Sequence, residues 1–524
     1  MPKRAKHQES ETENLGIRTA STASFLISGR FIAIIISAAM FIIVARLLQP
    51  YDYGIYVLIM SAAGIVSAIG NPNIGPYLKE KIPSTRLNER AEAVGTALAD
   101  ALFLSIGIGV LLLVMSVALG SLISTYILHT SNYETALYVG LTIILFSLIF
   151  STFNDALLSV GNGAGAAAAS ILHSTVQAVL SITLVLAGYG IVGALLGFIT
   201  GLFISSIFEI FLCNKSYPLK FSLKGIISRL RQTLGFSKYL TASGFITGIL
   251  TNLSTVYLGF IVLPSTVGNY GISQKVLNAI DILVGSIALA LIPMFSETKH
   301  MKDPNVQAGK LFNYSIYLSL LFATPLVVFI TVFSHDLILL LFSSSYLGAT
   351  VYMQLITMSL FASIVFTYGT NYMIGIGEPK KVLKYAMLTG IATLVSMIPL
   401  TIYFGVIGTI IAIFYIGNIL PSVLYWNYIS GHGPRFEKRK ITTVMIANLI
   451  PGIILCAMAV SGLAPILALI IGAAIYFVLY PVLAAKIKAI EKKDIDLMRK
   501  SGAKLPVIGV VLNSLLDYAS KFAS

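Results

Sequence analysis

The stretch VARLLQPYDYGIYVLIMSAAGIVSAIGNPNIGPYLKE, residues 44–80, decides the fold. It begins at the end of one apolar run, turns at Gln49-Pro50-Tyr51-Asp52, and enters a second run that meets no further charge before Lys79. Two apolar runs, each near the ~20 residues needed to cross the hydrocarbon and joined by a short polar turn, form a transmembrane hairpin. The same pattern continues outward. Of 524 residues, 57% are hydrophobic and 11% charged, where soluble domains carry roughly 25% charged residues. That composition excludes a soluble enzyme.

Runs punctuated by Gly, Pro and charge predict an all-α polytopic protein with fourteen spans, at about 23–45, 53–75, 93–117, 136–160, 166–187, 191–213, 238–262, 268–295, 309–333, 350–376, 382–404, 406–430, 441–461 and 464–485. The basic residues test this count, because Lys and Arg near span ends concentrate on the cytoplasmic side. Of the 35 Lys and Arg, 32 fall in the two termini and the even-numbered connections; the exceptions are Arg30, Arg46 and Lys275. Both termini are therefore expected in the cytoplasm. The net charge of +14 is explained by topology and attraction to anionic lipid headgroups, so no nucleic-acid partner is expected. Residues 1–22 read as a flexible cytoplasmic arm, 214–237 as a basic cytoplasmic linker, and 486–524 as a tail with an interfacial amphipathic segment. Cys213 and Cys456 both lie in apolar runs, which suits neither a disulfide framework nor a thiolate metal site.

Self-comparison reveals a repeat. At a shift of 217 residues Tyr53-Gly54-Ile55 falls on Tyr270-Gly271-Ile272, Pro76 on Pro293 and Glu80 on Glu297. At 216, Gly161 falls on Gly377; at 215, Gly190-Ile191-Val192-Gly193 falls on Gly405-Val406-Ile407-Gly408. Three landmarks in register along six spans predict a duplicated bundle, 23–213 and 238–430, with spans thirteen and fourteen (431–485) as an addition. Six is even, so the copies share an orientation.

Residues 44–80 also resemble the opening signature of the polysaccharide flippases of the multidrug/oligosaccharidyl-lipid/polysaccharide exporter superfamily, in which ARLL, a short turn and D-[YF]-G-x-Y close the first hairpin. GNYGISQKVLNAIDILVGSIALALIPMFSE (268–297) is similar to the family's eighth span, and GIGEPKKVLKYA (375–386) to its tenth-to-eleventh turn. The resemblance covers roughly residues 20 to 485. It implies a MATE-like two-lobed bundle whose central cavity opens alternately to either side. It also implies a lipid-linked oligosaccharide on a polyprenyl-pyrophosphate carrier as cargo, and basic residues on spans one and eight that attract the pyrophosphate. The setting it implies is the plasma membrane of a prokaryote, beside a glycosyltransferase or polymerase assembly. NPNIGP (71–76) departs from the signature, standing where an acidic-Gly pair and an Arg are common.

A charge at mid-membrane costs about 2.5–3.5 kcal/mol on translocon scales, which makes each intramembrane ionisable group a functional candidate. They are Arg30, Asp100, Asp155, Glu209, Lys275 and Asp281, with His173. On span eight Gly271, Gln274, Asn278, Asp281 and Gly285 share one helical face bordered by Lys275. Arg30, Gln274, Lys275, Asn278 and Asp281 are the candidate substrate-binding residues. A carboxylate pair, Asp100 and Asp155, suits Na⁺ binding or H⁺ uptake. Glu209 is expected to snorkel or to pair with Lys215. Ser243, Thr247, Thr251 and Ser254 form a hydroxyl face on span seven. No P-loop, H-E-x-x-H or acidic metal motif is present, so neither an enzyme, an ATP-driven pump nor a metal cofactor is expected. The rival readings are a multidrug cation antiporter of the same fold and a non-transporting scaffold for a glycan assembly complex.

Overall fold

The computed structural model describes residues 2–71, 87–125, 132–222, 226–290, 301–432 and 438–492, with Leu78, Phe295, Thr298, Ile495, Asp517 and Ser520. Most of the expected interfacial tail lies outside the described residues. All regular structure among the described residues is helical: α1 (Pro2–Gly70), α2 (Leu87–Ala118), α3 (Glu134–Leu141), α4 (Ile143–Ser159), α5 (Gly163–Leu184), α6 (Gly190–Ser216), α7 (Ile226–Gly259), α8 (Pro264–Ala290), α9 (Pro304–Val332), α10 (Ser334–Leu341), α11 (Ala349–Met358), α12 (Leu360–Gly375), α13 (Pro379–Ile410), α14 (Gly417–His432), α15 (Lys438–Val460) and α16 (Pro465–Lys486). Helix is what a lipid solvent demands, since hydrocarbon offers no partner for an open backbone N–H or C=O. The segment expected to be a flexible arm is helical from Pro2 onward.

Among the described residues eight helical runs are long and apolar enough to cross a membrane, and α11 with α12, bent by 41°, makes a ninth. Three of the eight, Gly29–Gly70, Gly163–Ser216 and Pro379–Gly431, are 42, 54 and 53 residues long. Each is about twice a single crossing and breaks near its middle. The first breaks at Gln49 (φ 62, ψ 166), immediately before Pro50, because proline drives the preceding residue out of the helical region. The others break at glycines with positive φ: Gly188 and Gly190 in one, Gly405 in the other. With each long run counted as two spans, and α7 and α8 added, every one of the fourteen expected spans has its helix.

The repeat is visible in the backbone. Gly190 (φ 51, ψ −131) and Gly405 (φ 56, ψ −133) have the same mirror-extended conformation, 215 residues apart. Gly161 (φ 80) and Gly377 (φ 83) match at 216. The breaks between α3 and α4 at Thr142 and between α11 and α12 at Ser359 match at 217. Side chains cannot adopt these glycine conformations without strain, so the fold itself explains why these landmarks survive in the sequence.

By contacts the chain divides into two units, Met1–Leu48 with Ile59–Phe245, and Gln49–Leu58 with Ile246–Ser524. In the first unit α2, α4, α5 and α6 enclose a core of Val94, Leu98, Ala101, Ile149, Phe153, Ala156, Leu157, Ala166 and Cys213. Small residues bring α6 onto α5: a Cβ on Gly197 would overlap Ser181, and the Ser181 hydroxyl donates to the Ala194 carbonyl at 3.1 Å. In the second unit spans thirteen and fourteen, α15 and α16, pack on α9. Tyr480 OH donates to the Leu321 carbonyl at 2.6 Å, Tyr476 OH to Asn448 Oδ1 at 3.0 Å, and Tyr317 OH to the Ala489 carbonyl at 2.5 Å. The remaining faces of α15 and α16 expose Ile453, Val460, Ile466 and Ile470, as expected of helices whose solvent is lipid.

Candidate functional site

The stripe on α8 changes character along its length. Its start is closed: Gly271 is buried against Val57, and a Cβ there would come within 2.8 Å of the Val57 Cγ2 methyl. Gln274 Nε2 donates to Tyr270 OH at 2.9 Å, and that hydroxyl lies 3.4 Å from Ser254 Oγ. Lys275 and Asn278 follow, both exposed. Among the described residues neither makes an ion pair or side-chain hydrogen bond. Half-buried Asp281 accepts from Ser363 Oγ at 3.3 Å. The Gly285 position falls on residues whose side chains are not described. The helix thus presents a cation and an amide side by side, with a second amide and a carboxyl fixed by neighbours above and below. A lysine ammonium flanked by amides suits a phosphate oxygen as a point charge with extra donors.

In the first unit Arg30 is half-buried, and no described residue gives it a carboxylate or carbonyl partner. Asp100 has a different setting. Arg229 forks onto it, Nε to Oδ2 at 2.5 Å and Nη2 to Oδ1 at 2.9 Å, while Nη2 also donates to the Ser222 carbonyl at 2.6 Å. A bidentate guanidinium–carboxylate pair is a strong orientational contact. It straps the linker to α2, helped by the Lys220 N–H on the Gly95 carbonyl at 3.2 Å. Asp100, expected as an ion-coupling group, is committed to this strap. Half-buried Asp155 instead lies within Coulombic reach of Glu209.

Glu209 departs most from expectation. It neither snorkels nor pairs with Lys215, which is exposed six residues further on. Its face of α6 turns onto α4, so the residue has 0% exposure and Oε1 accepts from Asn154 Nδ2 at 2.9 Å. The sequence held a faint signal for this, an Asn154-Asp155 pair in an apolar span, but nothing aligned it with α6. His173 is held between the rings of Phe150 and Phe198 at 5.4 and 5.3 Å. On span seven Ser254 faces the core and donates to the Thr251 carbonyl at 2.7 Å, Thr251 is exposed, and the Ser243 and Thr247 side chains lie outside the described set.

A family profile for polysaccharide biosynthesis protein matches residues 43–351, more than half of the chain. The chain belongs to the polysaccharide biosynthesis protein family. Among its relatives, the Lsg locus putative protein 1 of Haemophilus influenzae is 25% identical over 230 residues, 42% of this chain and 54% of that protein. The match therefore spans about half of the relative's length. Among solved structures, lipid II flippase MurJ in its inward closed conformation superposes with a TM-score of 0.69 at 14% identity, covering 88% of this chain and 98% of that one. A multidrug resistance MATE family transporter of the MOP superfamily, inward-facing, gives 0.62 at 14% identity over 79% and 96%. At such identities these likenesses show the fold. The profile shows the family, and the superpositions show that its member here has the fold of those two transporters.

Proposed function

We propose that this family member translocates a polyprenyl-pyrophosphate-linked oligosaccharide from the inner to the outer leaflet of a prokaryotic plasma membrane, by alternating access of its duplicated bundles. The observation that carries the reading is Lys275, an exposed cation in the middle of a membrane helix with no counter-ion among the described residues. A membrane protein keeps such a charge at a cost of a few kcal/mol, and an anionic cargo gives the reason. Arg30 supplies a second cation of the same kind, and Gln274, Asn278 and Asp281 supply polar contacts for the sugar or diphosphate. A multidrug cation antiporter would instead expose carboxylates. Coupling to H⁺ or Na⁺ through Asp155, attraction of the basic tail to anionic lipids, and association with a glycosyltransferase or polymerase complete the proposal.

Arg30→Ala and Lys275→Ala are each expected to lower glycan export at least tenfold at normal protein abundance, with Lys275→Arg recovering more than Lys275→Gln. Surface glycan and membrane protein level would be measured in a strain lacking the native gene. Full export by the double alanine variant would overturn the reading.

The distribution of basic residues sets the orientation. Accessibility tags at 214–238 and 431–440 are expected on the cytoplasmic side, and tags at 121–134 and 334–349 outside. A cytoplasmic tag at 334–349 would reverse the assignment from span eight onward.

A further inference from the structure

We infer that Glu209 is a proton-binding site of the first unit, holding its proton in the conformation seen here and releasing it when that part of the bundle opens. The geometry around the carboxyl carries the inference. Glu209 lies seven residues before the end of α6, roughly 10 Å along the helix, and has 0% exposure. Oε1 accepts from the Asn154 amide at 2.9 Å, whereas buried Oε2 has no hydrogen-bond partner. No lysine or arginine pairs with it among the described residues. A bare carboxylate so placed would be a desolvated charge with one hydrogen bond, the most costly state open to it. A proton on Oε2 removes the charge and leaves Oε1 free to accept from Asn154.

The groups facing it are consistent with this. Among the described residues, Asp155 of α4 and Cys213 on α6 itself are the titratable neighbours that interact with it. α5 contributes Ala166, whose carbonyl lies 3.4 Å from the Asn154 amide nitrogen, and α2 contributes Leu98 and Ala101 to the same core. Asp100, the acidic residue of α2 in this region, is engaged by Arg229. Asp155, half-buried on the neighbouring α4, marks the side on which the proton leaves. On release the Oε2–H bond breaks, the proton passes to the Asp155 carboxylate or to water, and Glu209 is left as an anion still bonded to Asn154. No other reactant is needed.

The role in transport rests on the reading above, but the proton can be observed without any cargo. In full-length protein reconstituted in lipid, infrared spectroscopy is expected to show a protonated-carboxyl C=O band at neutral pH that Glu209→Gln abolishes. The band should fade as pH is raised and return on lowering it. Absence of a difference between wild type and Glu209→Gln overturns the site; a band that never responds to pH overturns the exchange and leaves a fixed structural acid. Should Glu209→Gln not accumulate, Asn154→Ala serves instead. It removes the hydrogen bond to Oε1 and should shift the band, and an unshifted band overturns the assignment. A pH-responsive band in a protein whose Arg30 and Lys275 variants export normally would sink the cargo proposal and keep the proton site.

Discussion

Gly54→Ala or Gly268→Ala is expected to hold apart the seam that residues 50–57 make with 264–271 in the second unit. The two backbones meet there with no space for a side chain. A Cβ on Gly54 would overlap the Pro264 carbonyl oxygen, and one on Gly268 would overlap the Pro50 carbonyl oxygen and lie 3.2 Å from the Gly54 nitrogen. Around the glycines, Tyr53 is buried and stacks edge-on against Tyr346 with centroids 6.4 Å apart, and Val57 covers Gly271. Overpacking costs typically ~1–3 kcal/mol when side chains can yield, and here the obstacle is backbone. A cost at or above the middle of that range shifts a two-state equilibrium about tenfold or more. On the orientation and alternating-access mechanism proposed above, this seam lies at the external end and the methyl should favour an outward-open form. The measurement is the rate at which a membrane-impermeant thiol reagent modifies a cysteine replacing buried Val57, in a background without Cys213 and Cys456. That rate should rise about tenfold or more when Gly268→Ala is added, with export falling in parallel. An unchanged rate would show that the glycines do not control closure.

The second large effect is on stability. Asp100→Ala leaves the Arg229 guanidinium without its carboxylate, in a setting where the Asp100 and Arg229 side chains are 11% and 30% exposed. Removing one partner of a buried pair costs ~3–5 kcal/mol, and the partial exposure of Arg229 places this pair toward the lower end. Thermal unfolding of the purified protein should show a clear loss of Tm for Asp100→Ala and for Arg229→Ala, with the double variant far less destabilised than the sum. The exposed Lys220–Glu92 pair at 3.3 Å is the internal control, since surface pairs contribute ~0–1 kcal/mol. Were Asp100 a coupling-ion ligand instead, Asp100→Asn would alter ion dependence while leaving Tm in place. Strongly additive single-variant losses would also reject the strap.

Much of this architecture is legible in the amino-acid order alone. Lipid accepts helices of about one length, so fourteen apolar runs announce fourteen spans. Gly161 and Gly377, and Gly190 and Gly405, hold conformations that only glycine adopts without strain, so the duplication left fixed points that a simple offset finds. The α8 stripe is legible for the same reason: Gln274, Asn278 and Asp281 lie on a single helix, where spacing alone sets the face.

Only the tertiary structure decided how groups from different helices meet. Asp100 and Arg229 are 129 residues apart, and no periodicity within either helix points to the other. Glu209 sits in a span with so little polar contrast that its sequence does not select a face, and packing of α6 on α4 and α5 turned it inward to Asn154. The Gly54–Gly268 seam likewise exists because two turns dock without side chains between them. Hydropathy reports the transfer of a residue from water to lipid, and both a lipid-facing and a buried position satisfy it equally. Which helix lies opposite is a matter of close packing between surfaces far apart in the chain, and that information appears only once the bundle has closed.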